Sequence, residues 1–194
     1  MIIRTATDAD WPRIWPFFAE IVAAGQTYAY PDDLTIETAR PLWMEPPPGH
    51  IVVAELDGVL LGSAKMGPNR PGRGAHIATA SFMVNPAYQG RGTGRALCEY
   101  ALGWARRAGY HGMQFNAVVE TNTNAVRLWQ SLGFEILTTV PEAFNHREHG
   151  LVGLHIMYQR LATEEALVER HSSSSVLRDV PRPEQGDGRN DEPQ

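Results

Sequence analysis

Apolar residues recur along the first 160 residues in two rhythms, one of period two and one close to 3.6. The switches between them divide the chain into elements. Residues 2–5 read as a short strand. Trp11, Ile14, Trp15, Phe18 and Val22 then keep helical spacing behind the capping residues Thr7 and Asp8. Pro12 suits a first turn, Pro16 is expected to kink the helix or delay its start, and Gly25 ends it. A loop carrying Tyr28, Tyr30 and Pro31 leads to a second helix over 35–44, closed by Pro46-Pro47-Pro48. Two β-type runs, 50–56 and 59–66, flank Asp57-Gly58, a dipeptide suited to a tight hairpin turn. A Gly/Pro/Arg-rich loop over 67–75 precedes a strand over 77–84, which Asn85-Pro86 stops. A helix over 92–108 offers Leu97, Tyr100, Ala101 and Trp104 as its inner face. A buried strand over 113–119, a helix over 122–132 stopped by Gly133, and strands over 134–140 and 151–160 complete the series. The order β-α-α-β-β-β-α-β-α-β-β predicts a mixed α/β sandwich.

Composition changes this picture at the C-terminal end. The 194 residues carry a net charge of −5. Residues 163–194 hold eight acidic and four basic side chains, so they account for −4 of it. That segment also contains Ser172-Ser173-Ser174-Ser175 and Pro181-Arg182-Pro183, and its few aliphatic residues cannot offset the entropy of ordering it. The expected organisation is a folded domain over 1–162 and an acidic, low-complexity, largely disordered tail over 163–194. The acidic balance argues against a nucleic-acid partner. No run is long and apolar enough to span a membrane, and residues 1–5 lack a signal peptide's apolar core. The single cysteine, Cys98, excludes a disulfide framework. A cytoplasmic location, with no membrane partner, is the expectation.

The chemistry concentrates in Val84-Asn85-Pro86-Ala87-Tyr88-Gln89-Gly90-Arg91-Gly92-Thr93-Gly94-Arg95, between a strand and a long amphipathic helix. Gly90, Gly92 and Gly94 remove side chains, so consecutive backbone N–H groups can converge on one anion. The helix start adds unpaired donors and the positive end of its dipole, and Arg91 and Arg95 add charge. A charge-assisted hydrogen bond is worth about 1.5–3 kcal/mol, so several together can hold a diphosphate. A Walker loop is excluded because the chain has no Gly-Lys pair, and a Gly-x-Gly-x-x-Gly dinucleotide loop fails because its third glycine would fall at Arg95. A tight turn that needs glycine for its shape alone is the alternative.

Gln89-Gly90-Arg91-Gly92-Thr93-Gly94 resembles the Gln/Arg-x-x-Gly-x-Gly/Ala loop of the GNAT superfamily of acetyl-CoA-dependent N-acetyltransferases. Asn122-Thr123-Asn124-Ala125-Val126-Arg127-Leu128-Trp129 before Gly133-Phe134 resembles that superfamily's second signature. The resemblance covers about residues 2–160. It implies a mixed, mostly antiparallel central sheet with splayed middle strands and helices on both faces. It further implies that the backbone of Met83 and Val84 pairs with the pantetheine arm, and that amides of Gln89, Gly90, Arg91, Gly92, Thr93, Gly94 and Arg95 hold the pyrophosphate. Asn122 would bond the arm, Ala125 would leave room for it, and acetyl-CoA would be the co-substrate, with no metal.

The departures bear on catalysis. Trp129 stands where many members have a tyrosine that protonates the leaving thiolate. Indole N–H has no usable acidity, so Trp129 reads as a residue lining the CoA channel. A thiol of pKa about 8.5 can leave without a dedicated acid. An amine of pKa about 10 costs about 4–5 kcal/mol to bring to the neutral nucleophile at pH 7. Some members place a glutamate on the strand before the loop; here that strand, His76-Ile77-Ala78-Thr79-Ala80-Ser81-Phe82-Met83-Val84, has no carboxylate. Ser81, Thr79 or an ordered water could relay the proton, while His76 lies eight residues from Val84 and Glu120 reads more readily as a solvated strand-end charge.

A closer resemblance runs through Tyr28-x-Tyr30-Pro31, Met113-Gln114-Phe115-Asn116 and Leu128-Trp129-Gln130. These look like the branch that includes azetidine-carboxylate, or proline-analogue, acetyltransferases. Asn116 matches one of that branch's substrate-orienting asparagines, and Thr79 replaces the other. For Asn116, ligand contact and strand packing both stand. Tyr28 and Tyr30 wall the acceptor pocket or pack at its rim. Arg70 and Arg73 read as solvated, with an acceptor carboxylate or the CoA phosphate as the alternative. His146 and His149 fit a loop cover or a dimer contact better than a metal site. The expected function is acetyl transfer from acetyl-CoA to a small-molecule amine acceptor by direct attack. The alternatives are an acyl-CoA-binding sensor without turnover and a protein N-acetyltransferase. Homodimers are common among the proteins it resembles.

Overall fold

The computed structural model describes residues 1–161. The tail expected over 163–194, and the end of the domain expected at 162, lie outside them. The elements follow the expected order: β1 Ile2–Thr5, α1 Trp11–Ala24, α2 Ile36–Trp43, β2 His50–Leu56, β3 Val59–Pro68, β4 Ile77–Val84, α3 Thr93–Arg107, β5 Gly112–Val119, α4 Thr123–Ser131, β6 Glu135–His146 and β7 Gly150–Arg160. One seven-stranded sheet runs β1-β2-β3-β4-β5-β7-β6. Every neighbouring pair is antiparallel except β4 and β5, which run parallel.

The strand alternation delivers side chains to two separate cores. Val52, Ala54, Ala64, Met66, Ala78 and Ala80 face α3 and α4, meeting Leu97, Ala101, Ala105 and Trp129. Ile51, Val53, Leu60 and Met83 face the other way, into Trp11, Ile14, Phe18, Val22 and Trp43 of α1 and α2. Helices therefore cover both faces, as a two-sided alternation requires.

Several expectations change in detail. Pro16 does not delay α1, which starts at Trp11 and runs through it. Its missing N–H removes one bond, and the buried Ile14, Phe17 and Phe18 around it hold the helix to the sheet. The buried face of α3 is Leu97, Cys98, Ala101, Leu102 and Ala105, with Tyr100 and Trp104 only partly covered. β5 is not buried throughout, for Asn116 and Ala117 are exposed where it bulges against β7. β6 runs to His146, not to Val140, because register shifts absorb Pro141 and Glu142, the latter at φ 55°. Asp57 and Gly58, at φ 49° and 77°, form the expected hairpin turn.

α1 is tied to the sheet by charge at its start. The Asp10 carboxylate is 2% exposed; it accepts from both Arg4 Nη atoms at 2.8 Å and from the Thr7 N–H at 2.8 Å. Arg4 also donates to Glu55 on β2. The Arg4 guanidinium holds the Asp10 carboxyl well below the usual carboxylate range, against the opposing effect of burial. A depressed pKa stabilises the fold fully above the unfolded value of about 3.9 and loses that contribution as pH falls through the folded value. Asp10→Asn is expected to lower stability in urea by about 2–3 kcal/mol at pH 7, with the gap to wild type closing as pH falls below about 4.

Candidate functional site

β4 and β5 pair at Ile77 with Gly112 and at Ala78 with Met113, and no further. Beyond those pairs the strands diverge. The β5 bulge at Asn116 and Ala117 carries that strand away from its parallel neighbour and keeps it paired to β7. The slot so formed opens into a cavity of about 840 Å³, lined by Thr79 through Val84 on one side and Phe115 through Val119 on the other. Gln89, Gly90, Gly92, Thr93, Gly94 and Arg95 line its end above α3.

Backbone groups alternate sides along a strand. The Asn85 N–H donates to Leu61 of β3 at 2.9 Å, whereas the Phe82 carbonyl accepts from the Tyr28 hydroxyl at 2.7 Å on the opposite side. The amide and carbonyl of Val84 thus face the slot, as do those of Phe82. Those of Met83 turn toward β3, and its side chain is buried at 1% exposure in the α1 core. Met83 still borders the cavity, while the strand period gives Phe82, with Val84, the backbone groups that face the slot.

The loop after β4 begins with a one-turn 3-10 helix, Pro86–Tyr88, capped by the Asn85 side chain. Gly90 and Gly92 then take φ 77° and 75°, a left-handed backbone that L side chains resist, and α3 starts at Thr93. The first internal bond of α3 runs from the Ala96 N–H to Gly92. Among the described residues no acceptor meets any N–H of residues 89–95. All of these residues but Arg91 border the cavity end, beside the positive end of a 15-residue helix, which makes the loop able to hold an anionic group through main chain alone.

The two arginines contribute less than their charge suggests. Arg91 lies over the Tyr88 ring, 5.3 Å from its centroid, and is outside the cavity wall. The Arg95 guanidinium donates to Ser131 at 2.7 Å and pairs with Glu99 at 3.5 Å. Thr93 is buried, with its hydroxyl against the Met1 sulfur. Asn122 caps α4 by accepting from the Ala125 N–H at 3.3 Å, which spends its oxygen and leaves its NH₂ beside the cavity. Ala125 lines the wall, and Trp129, 8% exposed, packs on Phe82 and Phe115 at 5.0 and 5.4 Å.

Thr79, Ala80, Ser81 and Asn116 also border a second cavity of about 640 Å³, on the α1 and α2 side of the sheet. The slot between β4 and β5 thus connects two chambers. Asn116 donates to Asn69 at 2.6 Å and accepts from Gln114 at 2.8 Å, so its amide is oriented by neighbours on two elements. Tyr28 and Tyr30 stack at 5.5 Å and line the larger chamber. Burial raises both phenols, and the nearby Lys65 ammonium partly counters the rise for Tyr30. The Tyr28 hydroxyl is committed to Phe82, so Tyr28 fixes the strand edge besides walling the pocket.

Other candidates fall elsewhere. His76 packs edge-on to His111 at the closed end of the β4–β5 seam. Glu120 is exposed just past the end of β5, as expected of a solvated strand-end charge; it accepts from the Gly153 N–H of β7 and is not among the residues lining the slot. The His146 Nδ1 accepts from the Glu148 and His149 amides, shaping the β6–β7 turn. Arg70 lines the smaller chamber; Arg73 is exposed in a 3-10 turn. Glu45, Lys65 and Asn69 belong to that chamber without any local sequence signal, since two separate connections and strand β3 bring them there.

Residues 14–134 match the model of the acetyltransferase (GNAT) family. The chain is similar to L-methionine sulfoximine/L-methionine sulfone acetyltransferase of Salmonella typhimurium, with 34% identity over 147 residues, 73% of this chain and 84% of that protein. It is 36% identical over 110 residues to N-acetyltransferase aca1 of Schizosaccharomyces pombe, 56% of this chain, and spans about half of that relative's length, 53%. The solved GCN5-related N-acetyltransferase from Kribbella flavida superposes with a TM-score of 0.80 at 61% identity, over 82% of this chain and 97% of that one.

The loop geometry yields a controlled comparison. A Cβ at Gly92 or at Gly58 would meet nothing within 4 Å, and both glycines have positive φ, 75° and 77°. Gly92→Ala and Gly58→Ala should therefore each cost about 1–2 kcal/mol through backbone strain. Calorimetric titration is expected to show coenzyme A affinity falling about tenfold for Gly92→Ala only, through misaligned donors.

Proposed function

The chain belongs to the acetyltransferase (GNAT) family, and from that premise we propose that it is an acetyl-CoA-dependent N-acetyltransferase acting on the amine of a small, amino-acid-like molecule. The observation that carries this reading is the run of unpartnered N–H groups over residues 89–95 at the end of a slot that crosses the sheet. A polyanionic ligand answers the donors. A ligand with an extended amide-bearing arm answers the free edge at Val84, as an added strand would.

In this reading the main chain of residues 89–95 holds the pyrophosphate, and the NH₂ of Asn122 and the Val84 backbone hold the pantetheine arm. Trp129, Phe82 and Ala125 shape the channel. Acetyl-CoA supplies an activated acyl carbon at the join of the two chambers. Thr79, Ser81 and Asn116 line that join from both sides and are the polar groups available to orient the carbonyl and to pass a proton to water. The amine enters through the smaller chamber and attacks directly: the N–C bond forms, the C–S bond breaks, and the proton leaves to solvent. Proline analogues belong in the acceptor panel because the Tyr28, Asn116 and Trp129 patterns resemble the branch that acetylates them. Incorporation of label into whole-lysate protein, with none into small amines, would favour protein acetylation instead.

Coenzyme A at about 100 times its Kd should stabilise the protein by about 2.7 kcal/mol. For a domain of this size that is a rise of about 5–10 °C in Tm. Absence of both a thermal shift and calorimetric heat at millimolar coenzyme A would remove the reading. Heat without acetyl transfer to any amine would favour the sensor.

A further inference from the structure

The smaller chamber holds a charged pair that the proposed reaction does not use. Lys65 on β3 is 18% exposed; its ammonium donates to the Leu42 carbonyl at 2.8 Å and pairs with Oε1 of Glu45, while sitting 6.0 Å above the Trp43 ring. The Leu42 carbonyl belongs to the last turn of α2, where such groups lack intrahelical partners and attract cations. Trp43 is anchored in turn: its indole N–H donates to the Ser63 hydroxyl at 2.9 Å, which donates to the Val52 carbonyl at 2.9 Å. The lysine is thus held beside a buried network, with two of its three donors spent on protein groups.

Glu45 differs. Its side chain is 43% exposed, lines the chamber, and among the described residues its second oxygen accepts no hydrogen bond. An exposed ion pair ordinarily gains little and wanders. Here one partner is immobilised, so the carboxylate is held by one oxygen and presents the other. The same chamber reaches Thr79, Ser81 and Asn116, where the slot from the larger cavity opens. β4 itself contributes no carboxylate, so Glu45 is the anionic group of this chamber.

We propose that Glu45, oriented by Lys65, is the recognition residue for the ammonium group of the acceptor, and that the enzyme selects cationic alkylamines over amines that are neutral at neutral pH. This rests on the acetyl-transfer reading above and names the substrate class of the same site. Lys65 is a positioning residue. An amine enters as its ammonium form, is held by charge and a hydrogen bond at Glu45, and loses its proton to water before attack at the join.

The test compares two acceptor types on the full chain, primary alkylamines and aminooxy compounds, at neutral pH with saturating acetyl-CoA. For Glu45→Gln, KM for the alkylamine is expected to rise about tenfold while kcat, KM for the aminooxy acceptor and the Kd for coenzyme A stay within about twofold. Glu45→Ala, at a half-exposed position, should repeat the split, and Lys65→Met should reproduce it in weaker form. Equal losses on both acceptor types, or no loss on either, overturn the proposal. So does a wild-type protein that binds coenzyme A yet acetylates neither type. A wild-type protein that gives no heat with coenzyme A is a different failure, that of the acetyl-transfer reading itself.

Discussion

β4 and β5 keep only two register pairs before they diverge, and past Ala78 and Met113 each strand carries backbone groups that a closed sheet would satisfy. Unpaired polar groups inside a fold are costly, so the seam can stay open only where something answers them. β5 answers by bulging at Asn116 and Ala117, which lets it remain paired to β7 while leaving its parallel neighbour. β4 is answered from the other face, where the Tyr28 hydroxyl takes the Phe82 carbonyl. The edge at Val84 stays free for a ligand that can behave as a strand. The opening is thus built from hydrogen-bond accounting as well as from shape.

The two cores explain why such an opening does not unravel the sheet. Each face has its own helices and its own buried aromatic or aliphatic cluster, so the cohesion of β1 to β4 with α1, α2 and α3 does not depend on the β4–β5 hydrogen bonds. Trp129, Phe82, Phe115 and Phe134 pack across the gap from the α4 side, where side-chain contact takes over from backbone pairing.

The division of labour between main chain and side chain follows the same logic. Anion affinity in the 89–95 loop comes from N–H groups and a helix dipole, which do not titrate, while Arg91 and Arg95 are engaged with Tyr88, Ser131 and Glu99. In the proposed reading, acceptor recognition by contrast falls to side chains from scattered elements, Glu45 among them.

What the sequence determined by itself was local. The order of elements, the Asp57-Gly58 turn and the glycines of the 89–95 loop all follow from rules acting within a few residues, and each was legible. The slot-facing role of the Phe82 and Val84 backbone was legible in principle, since strand alternation alone sets which amides face sideways. What only the tertiary structure decided were pairings between distant parts of the chain. Asn69 meets Asn116 across 47 positions, Tyr28 reaches Phe82 across 54, and Glu45 meets Lys65 across 20. Those meetings depend on how far two strands diverge and how two helices seat on the sheet, quantities summed over the whole packed core. No local propensity encodes them.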